Sequence, residues 1–221
     1  MTPPSRAELA RVIDHTLLRA DATVADLERL CSEARQHGFF SVCVHGSRVS
    51  EACHLLEDSE VKVGTVVGFP FGAAESDVKR FETEAAVDAG AQEIDMVINL
   101  GWLKEGRDKL ILRELRDVAE TAEERVVKVI IEACLLTVDE KLRACGLILE
   151  SGATFVKTST GFSSGGATVE DVKLLREAVG ARFGVKASGG IRDTRTALGL
   201  IEAGANRLGT SSGVAIVQGL D

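Results

Sequence analysis

Four times along the chain a glycine leads into a β-branched or apolar run at the same spacing, and this recurrence constrains the fold more than any other feature. Cys43 follows Gly38-Phe39-Phe40-Ser41-Val42, Asp95 follows Gly90-Ala91-Gln92-Glu93-Ile94, Lys157 follows Gly152-Ala153-Thr154-Phe155-Val156, and Gly209 follows Gly204-Ala205-Asn206-Arg207-Leu208. A glycine just past a helix end takes the left-handed conformation that terminates the helix, so each one marks the origin of a strand. Strands are predicted at 12–17, 40–44, 61–67, 93–98, 126–131, 155–158, 185–187 and 207–210. Between them lie segments of helical periodicity such as 77–89 and 168–179. The second opens on Thr168-x-x-Asp171, and Thr137-x-x-Glu140 repeats that capping-box spacing. Eight alternating units predict an α/β protein, a single closed (β/α)8 barrel spanning 1–221 as one domain. At 221 residues it would be a compact one, near the lower limit of about 200 for such barrels. An open doubly wound sheet is the alternative use of the same units.

Charge and composition remove several function classes. With 26 Lys+Arg against 34 Asp+Glu, a net −8, the chain lacks the surplus cations of a generic nucleic-acid binder. Apolar residues at 45% suffice for one sizeable core. The longest apolar stretches, such as 126–131 with its interior Lys128, fall far short of the roughly 20 residues that span a bilayer, so no membrane association is expected. Met1-Thr2-Pro3-Pro4-Ser5-Arg6-Ala7-Glu8 lacks the basic start and apolar stretch of a signal peptide, which points to the cytoplasm. Cys31, Cys43, Cys53, Cys134 and Cys145 have no CxxC spacing, and His15, His37, His45 and His54 no HxH or HExxH spacing. Neither a metal nor another cofactor is therefore expected.

If the four turns are equivalent, Cys43, Asp95, Lys157 and Gly209 share one inward layer, because a barrel stacks its interior side chains in layers from alternate strands. Such layers are ordinarily Val, Ile and Leu, and a buried Asp or Lys needs a partner. A structural Asp95–Lys157 ion pair is one explanation. Chemistry is the other. Lys186, in Val185-Lys186-Ala187-Ser188-Gly189-Gly190, also ends a predicted strand. Two ammonium groups held together disfavour each other's charge, and bringing one amine from about 10.4 toward 7 takes about 4 kcal/mol. A neutral amine attacks a carbonyl to form a Schiff base, and Asp95 would move protons through the later stages.

Four loops suit an anion: 158–162, 188–192, 209–213 and, less clearly placed, 64–72. Loops after the last two strands of a barrel, with the N-terminus of a short helix such as 211–217, commonly hold phosphate through backbone N–H groups. The candidate substrate contacts are Thr158, Thr160, Gly161, Ser188, Gly189, Gly190, Gly209, Ser211 and Ser212. Cys43 is either a further contact or a small core residue. Lys128 and Glu132 flank strand five as a buried ion pair or as contacts to a substrate hydroxyl. Asp14-His15-Thr16 faces the site, packs the barrel floor or lies at the surface, and Lys173 reads as part of a solvated helix face.

Six strings together carry a resemblance: Ile13-Asp14-His15-Thr16-Leu17-Leu18, Val66-Val67-Gly68-Phe69-Pro70, Ala91-Gln92-Glu93-Ile94-Asp95-Met96-Val97-Ile98-Asn99, Val156-Lys157-Thr158-Ser159-Thr160-Gly161-Phe162, Val185-Lys186-Ala187-Ser188-Gly189-Gly190-Ile191-Arg192 and Leu208-Gly209-Thr210-Ser211-Ser212. In this order, from about Val12 to Val217, they resemble the deoxyribose-phosphate aldolases. The resemblance implies a metal-free class I lyase on a TIM barrel that reversibly cleaves 2-deoxy-D-ribose 5-phosphate to D-glyceraldehyde 3-phosphate and acetaldehyde in deoxyribonucleoside breakdown. It makes Lys157 the Schiff-base nucleophile, Asp95 the proton donor and acceptor, and Lys186 the cation that perturbs Lys157 and relays protons; it also suggests a homodimer. The sequence departs from the family pattern at His45-Gly46, where many relatives carry Asn-Pro, and at Arg19-Ala20, where Lys-Pro is common. It has no Tyr and ends Gly219-Leu220-Asp221, so the tail-assisted proton transfer of some relatives is expected to be absent. Two competing classes are a phosphate-binding barrel isomerase or decarboxylase with a carboxylate or His base, and a phospho-sugar sensor without turnover.

Overall fold

The strands of the computed structural model are β1 (Ile13–Leu17), β2 (Ser41–Val44), β3 (Lys62–Val67), β4 (Glu93–Val97), β5 (Val126–Ile130), β6 (Phe155–Lys157), β7 (Gly184–Ser188) and β8 (Arg207–Thr210). Each lies within one residue of its predicted bounds. Residues 4–220 are described; Met1-Thr2-Pro3 of the N-terminal segment and the final Asp221 lie outside them. Neighbouring strands pair in parallel in chain order, and β8 pairs back onto β1 through Asp14 and Gly209, so the sheet closes. Closure excludes the open doubly wound alternative.

Local chemistry explains the helix ends. Thr137 accepts the Glu140 N–H while the Glu140 carboxylate accepts the Thr137 N–H, a full capping box. Thr168 caps Val169–Val179 by accepting the Asp171 N–H at 3.0 Å. Gly38 is itself a left-handed cap, φ 66°. Gly90, Gly152 and Gly204, at φ 101°, 91° and 114°, come one or two residues after a cap in the α conformation.

Each strand has two faces with opposite character. Val42, Val44, Ile94, Met96, Val129, Val156, Val185, Ala187 and Leu208 face outward into the core shared with the helices. Helix Asp108–Thr121 meets them with Ile111, Leu115 and Val118, the stripe of an amphipathic helix. The residues between them point to the barrel axis, where polar and charged side chains collect.

A second buried charge pair lies outside the barrel. Lys79 Nζ donates to Glu114 Oε1 at 2.8 Å and to the Val97 carbonyl at 2.9 Å, with both side chains fully buried. Burial lowers the Lys79 pKa and raises that of Glu114. Nearby, the Glu82 carboxylate accepts the Gly68 N–H at 2.7 Å, which ties down the loop after β3. That loop bends back on itself at Gly72, whose N–H donates to the Gly68 carbonyl at 2.7 Å. Gly72 has φ +67°, and a Cβ there would collide with the Ile98 carbonyl oxygen, whereas a Cβ on Gly38, φ +66°, would meet nothing within 4 Å. Gly72→Ala is therefore expected to cost about 1–3 kcal/mol more than Gly38→Ala, which carries the backbone penalty alone. Urea unfolding of the two variants side by side measures the difference.

Candidate active site

Asp95 sits at the centre of a cluster of buried charges. Lys128 Nζ donates to its Oδ1 at 2.8 Å, and Lys157 and Lys186 both donate to its Oδ2 at 2.7 Å. These residues come from β4, β5, β6 and β7, and each is at most 3% exposed. Glu93 is two residues before Asp95 and so faces the same way; it accepts from Lys128 at 2.7 Å and from Arg207 at 3.1 Å. Arg207 also donates to Asp14 at 2.7 Å, Ser41 Oγ donates to the same oxygen, and the other Asp14 oxygen pairs with Lys186. The predicted layer is thus brought together at Asp95 and Lys157. Its fourth member is a glycine because a Cβ on Gly209 would lie 3.0 Å from Lys186 Cε and from Ser188 Cβ; the gap is where the lysine runs.

The electrostatics separate the lysines. Burial alone would raise the pKa of Asp95, but Lys128, Lys157 and Lys186 together hold it well below the usual carboxylate range. Burial lowers Lys157; Asp95 opposes this and Lys186 adds to it, and the net direction is down. Burial also works against the charge on Lys186, yet Asp14 and Asp95 raise it overall, and Asp95 and Glu93 do the same for Lys128. Lys157 is therefore the most easily deprotonated of the three. The depression was expected from a second ammonium, but desolvation is its larger cause.

Above the cluster, at the C-terminal ends of the strands, is a cavity of about 300 Å³ lined by Thr16 to Arg19, Lys157, Thr160 to Phe162, Ser188 to Arg192 and Gly209 to Ser211. Of the seven charged groups in the cluster, Lys157 is the one that reaches it. Among the candidate contacts, Thr160, Gly161, Ser188, Gly189, Gly190, Gly209 and Ser211 line the cavity. Cys43, Lys128, Thr158 and Ser212 do not. Cys43 packs with Leu18, Val66 and Phe69, and burial raises its thiol pKa. Lys128 spends its ammonium on Glu93 and Asp95, the ion-pair alternative, but with partners other than Glu132. Thr158 is fully buried and fastens β6 to β7, its Oγ1 donating to the Ser188 carbonyl at 3.2 Å and accepting the Ser188 N–H at 3.1 Å. Ser212 is half-buried and donates its N–H to Thr210 Oγ1, and the helix beyond it, Gly213–Gln218, starts two residues later than predicted. The 64–72 loop contributes nothing to the lining.

Other residues were less legible. Glu132 adopts a left-handed φ of 48° and accepts the Thr160 N–H at 3.2 Å and its hydroxyl, bracing the loop that forms one wall. His15 turns outward to Glu33 at 2.7 Å, beside Phe39, while its neighbours Asp14 and Thr16 turn inward to the cluster and the cavity. His45 approaches the Leu18 carbonyl at 2.9 Å and meets Phe69 edge-on, and Phe69 meets Phe162 in the same way. Glu93 and Arg207 were not singled out as site residues, although the period of two carried the signal: they lie two residues before Asp95 and Gly209.

Residues 9–219 match a family described as DeoC/LacD family aldolase. A deoxyribose-phosphate aldolase of Alkaliphilus oremlandii is 59% identical over 211 residues, covering 95% of each chain. One from Carboxydothermus hydrogenoformans is 56% identical over 220 residues, covering 98% of this chain and 96% of the relative. Among solved structures, the tetrameric deoxyribose phosphate aldolase of Aeropyrum pernix superposes with a TM-score of 0.91 at 35% identity, over 97% of this chain and 91% of that one.

The cluster ties stability to pH. Asp14 and Asp95 both have lowered folded-state pKa values, so the stability they contribute is complete above the unfolded carboxylate value of about 3.9 and is lost as pH falls toward the folded values. Asp95→Asn leaves the Lys128 and Lys186 ammonium groups short of a counter-charge and is expected to cost about 3–5 kcal/mol at pH 7. It should also flatten the fall in stability below about pH 4. Urea unfolding of both proteins at pH 7 and pH 3 tests the magnitude and the slope.

Proposed function

The chain belongs to the DeoC/LacD aldolase family, and from that premise we propose that it cleaves 2-deoxy-D-ribose 5-phosphate reversibly to D-glyceraldehyde 3-phosphate and acetaldehyde through a Schiff base on Lys157. The observation that carries this is the position of the Lys157 amine, with a lowered pKa, on the floor of the cavity and 2.7 Å from Asp95. An amine without its proton is a nucleophile. It adds to the C1 carbonyl of the open-chain sugar to give a carbinolamine, which loses water to form an iminium. Loss of the C3 hydroxyl proton then breaks the C2–C3 bond; its electron pair moves into the iminium, leaving an enamine on Lys157 and releasing the three-carbon aldehyde. Protonation at C2 and hydrolysis release acetaldehyde. Asp95, bonded to both Lys157 and Lys186, is placed to take up protons that the Lys186 ammonium returns, which is general acid–base catalysis by a coupled pair.

The phosphate would sit at the far end of the cavity, at the backbone N–H groups of Gly189, Gly190 and Ser211 with Arg192 at the rim. At a net −8 the protein offers little long-range attraction to a dianion, so local donors must supply the affinity. The same reading makes the chain one domain, active in the cytoplasm in deoxyribonucleoside breakdown. It also makes it a homodimer, which light scattering would register as twice the 23.5 kDa chain.

Incubation with acetaldehyde followed by borohydride should leave an ethyl adduct on Lys157, found by peptide mass spectrometry. Lys157→Leu should abolish the adduct and lower cleavage more than about a thousandfold while phosphate still binds. An unmodified Lys157 in an active protein would point instead to an isomerase or decarboxylase, and one in an inactive protein to a sensor. Lys186→Leu removes a cation that lowers Lys157, so the pH profile of adduct formation should move upward; an unmoved profile would show that the two amines do not couple.

A further inference from the structure

The charges inside the barrel form a closed circuit. Asp95 binds Lys128 at 2.8 Å, Lys128 binds Glu93 at 2.7 Å, and Glu93 binds Arg207 at 3.1 Å. Arg207 then binds Asp14 at 2.7 Å, Asp14 pairs with Lys186, and Lys186 returns to Asp95 at 2.7 Å. Three anions alternate with three cations, so the six-membered ring is neutral. Lys157 hangs from it by one bond to Asp95. A proton on Lys157 would make the whole cluster net positive in a buried site, where an unmatched charge is costly.

Two ring members lie far from the chemistry. Glu93 and Arg207 begin β4 and β8, at the opposite end of the barrel from the cavity, and neither lines it. Arg207 keeps its proton at any working pH, and its guanidinium is stacked 3.5 Å from the centre of the Phe40 ring.

We propose that Glu93 and Arg207 are positioning residues that select the nucleophile: by closing the ring at the barrel floor they keep Lys128 and Lys186 as ammonium groups and leave Lys157 as the amine without a proton. The nucleophile in this statement rests on the Schiff-base reading above. The groups facing Lys157 account for the balance. β1, β4, β5, β7 and β8 supply the six ring charges, and β2 supplies the uncharged Ser41 hydroxyl and the Cys43 thiol, kept neutral by burial. β3 presents Gly64 and Val66, and its Lys62 is exposed at the floor, 5.4 Å from the Phe40 ring. Glu132, beyond β5, is occupied with Thr160.

A charge role and a packing role differ in sign. Arg207→Met leaves the ring one negative charge in excess, so the midpoint of Lys157 deprotonation should rise by about one pH unit. Glu93→Gln leaves one positive charge in excess and should lower it by a similar amount. The double variant is neutral again and should return close to the parent, and Arg207→Lys, which keeps the charge, should match the parent. Competitive acetylation with trace acetic anhydride across a pH series, read by peptide mass spectrometry, gives the Lys157 midpoint with no aldehyde chemistry. Acetaldehyde–borohydride trapping on the same proteins is the second readout. Opposite shifts with restoration in the double variant establish the ring. A Glu93→Gln midpoint that is unmoved or raised overturns it, and this variant with Arg207→Lys decides the matter if Arg207→Met does not fold. Shifts by acetylation without any trapped adduct would overturn the Schiff-base reading and leave the ring standing.

Discussion

A carboxylate taken out of water costs several kcal/mol unless the groups around it offset the loss, and Asp95 is offset by the amino groups of three lysines from three other strands. No pair of adjacent strands could assemble that arrangement. β4 must be linked through β5 to β6 and β7, and the sheet must close for Asp14 and Arg207 to complete the charge pattern from the far side. Half-satisfied, such a network is worse than an apolar core. Fully paired, it favours one register of the barrel, because a slip of one residue turns every inward charge out into the apolar layer.

The apolar and polar chemistries are kept apart by the pleat. Outward-facing Val, Ile and Leu pack beneath the helices and supply the hydrophobic stabilisation. The inward face is therefore free of the need to be apolar, provided its charges balance. The glycine at 209 makes space there for Lys186. The cavity then opens where the ring ends, with loops braced from below by Glu132 and by the Thr158–Ser188 bonds. Preorganised loops of this kind hold donors in place without reorganisation during reaction.

What distinguishes Lys157 from Lys128 and Lys186 is the count of anions each one touches. Lys128 and Lys186 each contact two carboxylates and are raised; Lys157 contacts one and is lowered, chiefly by burial. The difference between nucleophile and ion-pair partner lies in this second carboxylate rather than in burial, since all three lysines are at most 3% exposed.

Much of this was legible in the chain itself. Strand periodicity, glycine origins and capping boxes are local, so the eight βα units and the inward layer holding Asp95 and Lys157 followed from the order of residues alone. Lys186 stood out as a second lysine at the end of a predicted strand. The partners did not follow. Whether Asp14 or His15 turned inward depended on the register of β1 against β2 and β8, and Lys128 found Glu93 and Asp95 rather than Glu132 because pairing across strands decided which side chains could meet. Likewise Thr158 and Cys43 were consumed by packing before any ligand could use them. Residue order determined which groups carry charge and how they alternate along each strand; only barrel closure decided which charges touch, because those distances are set by strands up to 193 residues apart in the chain.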